Sequence, residues 1–139
     1  QSEEWRRTSD LIRRILEEKG KPPLVRLRAL VHAFIRSECE EADMRVALHD
    51  AAPFYRDAPE ASEARAAAEQ AMLDFVREAR PGLSADEQNL RSEILCATLG
   101  SLGNSFSEFP RSDEQIARTS NAVADMLCAY LEAGEEAGR

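Results

Sequence analysis

The chain has 139 residues, 43% of them hydrophobic, and a formal net charge of −8 at pH 7. That length and apolar content suit one domain over residues 1–139 with a substantial core, and they mark the chain as globular rather than disordered. An acidic balance argues against a nucleic-acid surface, which needs clustered Lys and Arg, and no apolar run is long enough to span a bilayer.

Residues 3–19 form a first predicted helix, with Trp5, Thr8, Ile12, Ile15 and Leu16 on one stripe. The basic pairs Arg6-Arg7 and Arg13-Arg14 stand among Glu residues and read as its solvated face. Gly20-Lys21-Pro22-Pro23 ends that helix, since Gly closes a helix and Pro suits the first turn of the next. A second helix is expected from about Pro23 to Glu41, with Leu24, Leu27, Leu30, Val31, Phe34 and Ile35 inward. The acidic stretch from Glu38 to Asp43 weakens the pattern, and a separate short helix is expected from Met44 to Ala51. Pro53 and Pro59 bracket a turn containing Phe54 and Tyr55. Asp57 then caps a helix that reaches Ala79, with Ala64, Ala68, Met72, Phe75 and Val76 inward.

Pro81-Gly82 precedes two long helices over residues 84–133, and residues 134–139 read as a frayed tail. Ser84-Ala-Asp-Glu87 and Ser112-Asp-Glu-Gln115 each have the form of a capping box. Leu90, Ile94, Leu95, Leu99, Leu102 and Phe106 recur at helical spacing, yet Gly100 and Gly103 interrupt them. Each glycine costs about 1 kcal/mol relative to Ala in an exposed helix interior, so close approach of another helix is the expected reason for both. The last helix offers Ala117, Ala122, Ala124 and Ala129 beside Val123, Leu127 and Leu131. The two helices together read as an antiparallel pair that packs against a second copy of itself. The expected dimer surface comprises Leu99, Gly100, Leu102, Gly103 and Phe106, with Ala122, Val123, Met126, Ala129 and Tyr130. Strand signals are almost absent, so the fold class is all-α with six helices.

Signatures of chemistry are thin. A di-metal bundle needs Glu-x-x-His pairs, but position 29 is Ala and position 46 is Val, so neither His32 nor His49 belongs to one. His32 and Cys39 share a helix face, but two ligands make a poor metal site. Cys39, Cys96 and Cys128 are odd in number, with no CxxC and no signal peptide ahead of them, and read as reduced thiols of a cytoplasmic protein. Cys96 and Cys128 sit on apolar faces, where packing is the expected role. No nucleophile motif, metalloprotease motif, phosphate loop or dinucleotide fingerprint occurs. The chain therefore reads as no enzyme, with no cofactor and no metal. Phe34, Ile35, Met44, Met72, Phe75, Leu95 and Leu99 either fill an ordinary core or line an apolar cavity for a small molecule. In a cavity, His32, His49, Tyr55 and Thr98 would be its polar handles.

The Trp-containing first helix, the stretch Pro23-Leu-Val-Arg-Leu-Arg-Ala-Leu30, the run from Ala51 to Pro59 and the terminal helix pair make a familiar order. Together they resemble the C-terminal ligand-binding and dimerisation domain of TetR-type transcriptional regulators, with residues 45–65 and 99–112 carrying most of the likeness. The resemblance implies a six-helix orthogonal bundle whose last two helices join those of a partner in an intermolecular four-helix bundle, a homodimer. It implies a small-molecule effector in the interhelical cavity and a linker helix over residues 1–20. That helix would relay binding to a DNA-reading helix-turn-helix domain lying outside this chain. Such a relay couples the two sites by about 1–3 kcal/mol. A bacterial, cytoplasmic repressor is what the likeness implies most often. The alternative is an all-α interaction or adaptor domain with a filled core.

Overall fold

Helix boundaries fall where the sequence places its breakers and caps. The computed structural model describes residues 2–47 and 59–134, with side chains over 7–44 and 62–134. Five helices run through them: α1 (Ser2–Leu16), α2 (Pro23–Ala47), α3 (Pro59–Ala79), α4 (Ala85–Phe106) and α5 (Asp113–Glu132). No strand occurs among the described residues, in keeping with the all-α expectation.

The expected count of six does not hold among the described residues. Residues 44–47 continue α2 instead of opening a helix of their own. Nothing between Leu24 and Ala47 is Gly or Pro, and the acidic stretch is made of residues that a helix accepts. Loss of the apolar stripe there does not end the helix: Cys39 stays buried while Glu40 and Asp43 face solvent. The remainder of the expected short helix, with His49, Tyr55 and the proline-bracketed turn, lies outside the described residues.

Serine starts the two long C-terminal helices. The Ser112 side chain accepts from Gln115 N at 3.1 Å, and Gln115 Oε1 accepts from Ser112 N at 2.8 Å, a complete box. At α4 only half of the expected box forms. Ser84 accepts from Glu87 N, while the Glu87 carboxylate turns to Arg91 Nε at 3.0 Å. A nearby guanidinium offers a charge-assisted hydrogen bond, which outcompetes one backbone N–H.

Arginine closes the other ends, donating to carbonyls that a helix leaves unpaired. Arg26, 2% exposed, reaches Leu16 O and Lys21 O, each at 2.8 Å, and forms a two-pronged pair with Glu78 of α3. Its guanidinium also lies over the Phe75 ring. Arg91 donates to Tyr130 O and Leu131 O, while Arg80 donates to Leu131 O, Ala133 O and Gly134 O. Gly134 turns the chain at φ +83°, and a Cβ there would stand 2.9 Å from Arg91 Nη2. Arg111 donates to Phe106 O and stacks over the Phe106 ring.

The core runs through Leu27, Leu30, Val31 and Ile35 of α2. Against them lie Phe75 and Val76 of α3, Leu95 and Leu99 of α4, and Val123, Leu127 and Leu131 of α5. α2 is the hub, meeting α1, α4 and α5, and α3 is packed between α1 and α4. α4 and α5 touch each other sparsely and are joined mainly through α2. Polar pairs bridge α2 to α5 along the surface: Arg28 to Asp125, His32 Nε2 to Asn121 Oδ1 at 2.9 Å, and Arg36 to Asp113.

Candidate ligand cavity

Small residues on α3 and α4 explain why a gap exists where helices would otherwise close. Gly103 of α4 is buried against α2, and a Cβ built on it would fall 2.8 Å from Phe34 Cε2 and 3.1 Å from Glu38 Cγ. Its missing side chain is the space that Phe34 occupies. On the facing helices, Ala66 and Ala68 of α3 stand across from Ala97 and Gly100 of α4 and are too short to fill the space between. A cavity of about 720 Å³ results, bounded by α3 and α4, with α2 beneath and Ile12 of α1 at its margin. That volume lies in the range that holds small organic ligands.

Leu30, Phe34, Met72, Leu73 and Leu99 give the cavity an apolar lining. Polar groups gather on the two long walls: Arg65, Glu69 and Gln70 from α3, and Asn89, Ser92 and Glu93 from α4. Cys96 stands among them. Burial pushes its thiol up to about 11, and the nearby Glu69 carboxylate adds to the effect. At neutral pH it is a protonated, weakly polar wall and not a nucleophile. Burial also raises the thiols of Cys39 and Cys128, and the latter lies 3.7 Å from Leu24 O. All three are free, as expected.

The expected ligand residues divide. Phe34, Met72 and Leu99 line the cavity. Ile35, Phe75 and Leu95 point into the closed core instead, and Met44 is exposed. His32 lies on the α2–α5 side, held by Asn121, because its position on α2 is turned away from α3. Thr98 is half-buried on α4 outside the lining, and His49 and Tyr55 lie outside the described residues. The polar wall was not foreseen. Glu69, Gln70, Asn89 and Glu93 carry the composition of a solvated face, and only the run of alanines from Ala66 to Ala68 hinted that α3 leaves room there.

The expected dimer residues divide as well. Ala122, Met126 and Ala129 of α5 and Leu102 of α4 are exposed. Leu99 and Val123 are buried within the chain, and Phe106 and Tyr130 are half-buried against its own core. Gly103 serves the contact with Phe34, and Gly100 borders the cavity with nothing within 4 Å of a would-be Cβ. Further exposed apolar groups lie on α4, where Leu90 and Ile94 continue toward Leu102 at steps of four and eight. Among the described residues no helix is long and apolar enough to cross a membrane. No cluster of three or more His, Cys, Asp or Glu among them could hold a metal ion.

Fold and cavity together define an all-helical domain with room for one small molecule between helices. The family model described as "Tetracyclin repressor-like, C-terminal domain" matches residues 22–133, so the chain belongs to that family. Its membership agrees with the resemblance seen in the sequence. No curated protein matches the chain.

Proposed function

We propose that this chain is the effector-sensing and dimerising part of a bacterial, cytoplasmic transcriptional regulator, most simply a repressor. A small ligand with an apolar or aromatic body occupies the cavity between α3 and α4. Two copies associate through the exposed faces of α4 and α5, and a helix-turn-helix domain outside this chain reads DNA. The single observation that carries the reading is the cavity of about 720 Å³, in a chain whose family is that of repressor C-terminal domains. An adaptor with a filled core would have no use for such a void, because unfilled apolar space forfeits packing energy.

The relay runs through α1. This helix packs chiefly on α3, which forms one cavity wall, and contributes Ile12 to the margin. A ligand that separates α3 from α4 moves the surface on which α1 rests. To act as a switch, that ligand must bind one placement of α1 more tightly than the other.

The test is a thermal-shift screen with lipophilic and aromatic compounds, run on the native chain and on Ala97→Trp. A ligand at about 100 times its Kd adds about 2.7 kcal/mol of stability. Compounds that raise the melting temperature of the native chain should fail with Ala97→Trp, whose indole fills the cavity. Hits that stabilise both proteins equally would place the site elsewhere and overturn the assignment.

A further inference from the structure

Gly100 stands in the interior of α4, where a glycine costs stability relative to alanine. Gly103 and Gly134 each have a local reason to be glycine. A Cβ at Gly103 would press on the Phe34 ring, and Gly134 turns the chain at positive φ. Gly100 has neither reason: its backbone is helical, and a Cβ there would meet nothing within 4 Å. The space that a side chain would take is cavity, which Gly100 lines beside Ala97 and Leu99.

The cavity has an inner and an outer end. Leu30, Met72 and Leu99 are buried and close the inner one, with Phe34 beside them. Glu69, Gln70, Asn89 and Glu93 are exposed and form an outer rim in water. Between floor and rim the walls are Ala66 and Ala68 on α3, and Ala97 and Gly100 on α4. Side chains that short leave a slot whose sides are close to bare helix backbone.

We propose that Gly100 determines which ligands the cavity accepts, admitting the flat face of a fused aromatic ring system against the backbone of α4. The apolar edge of the rings meets Phe34 and Met72, and one polar edge stays at the exposed rim. The inference rests on the cavity being the effector site and adds the ligand's shape and the residue that selects it. Glycine allows a ligand to approach the backbone more closely than any other residue does. Aromatic edges suit the Phe34 ring, and the Met72 thioether also favours them. A rigid ring system loses less conformational freedom on binding than a flexible chain does. A straight chain is slim enough to pass a side chain at position 100 and has no need of the glycine.

β-Naphthol and n-octanol are both neutral at pH 7, each with one hydroxyl, and differ in shape. Titration calorimetry of each with the native chain, Gly100→Ala and Gly100→Leu separates shape from hydrophobicity. A long side chain on a helix leans over the preceding turn, so the leucine covers Cys96 and Ala97 and occupies the slot. Gly100→Leu should lower naphthol affinity at least about tenfold and octanol affinity less than about threefold. Gly100→Ala should lower naphthol affinity about threefold while its melting temperature rises. Stability and affinity then move in opposite directions, whereas a glycine needed only for packing would lose both. The alanine variant, whose methyl meets open space, gives the same reading if the leucine variant fails to fold. Unchanged naphthol affinity in the variants, or equal loss of both probes, would overturn the role of Gly100. Octanol binding to the native chain without naphthol binding would overturn the ring-shaped class and leave the cavity as an effector site. Binding of neither probe would remove the effector site itself, and the ligand class with it.

Discussion

Two glycines three residues apart on α4 have opposite roles. Gly103 makes room for Phe34, and its substitution by Ala forces the new methyl to within 2.8 Å of that ring. Overpacking of this kind costs about 1–3 kcal/mol, partly offset by the better helix propensity of Ala. The escape route for the ring is into the cavity, so Gly103→Ala should lower the melting temperature and weaken ligand binding together. A methyl at Gly100 meets nothing within 4 Å. Gly100→Ala should therefore stabilise the fold by up to about 1 kcal/mol. Urea denaturation of both variants checks the pair, and a shift in the same direction for both would contradict the placement of Phe34.

Among the elements, the end of α1 is tied down around Glu78 of α3, which pairs with Arg26 and, at 3.8 Å, with Lys19. Arg26 holds the last carbonyl of α1 and joins Glu78 of α3, and its hydrogen bond keeps the Glu78 carboxyl below its ordinary range. A carboxyl lowered by folding contributes stability above its unfolded pKa of about 4.3, and that contribution is lost as pH falls through the folded value. Glu78 is about one-third exposed on its side chain, so water screens part of the pair. Glu78→Gln should cost about 1–3 kcal/mol at pH 7, since it weakens the partner of a buried guanidinium. The gap between native chain and variant should close as pH falls below about 4, in urea titrations at stepped pH. A gap that stays constant with pH would mean that the carboxylate charge is not what holds α1 to α3.

For the whole molecule, the decisive matter is what covers the outer faces of α4 and α5. Leu90, Ile94 and Leu102 on one helix, with Met126 at 49% exposure on the other, leave apolar surface in water. Contiguous apolar patches on a soluble subunit mark interaction sites, and the sparse contact between α4 and α5 fits helices that each need a further neighbour. Met126→Glu and Ile94→Glu should convert a dimer to a monomer in sedimentation and remove the concentration dependence of melting. Retained dimers in both variants would exclude these faces.

The all-helical class, the breakers at Gly20 and Pro81, the Ser112 box and the apolar stripes were legible in the sequence, because propensity, caps and periodicity act over a few residues. The family likeness was legible too, from the order of helices. What the sequence could not assign was the partner of each stripe. Gly103, read as a seam between subunits, turns inward, while Glu69 and Glu93, exposed as their composition suggests, also border a cavity. A helix periodicity fixes which residues share a face, but only the packing of α2, α3 and α4 decides whether that face meets its own chain, a void or another molecule.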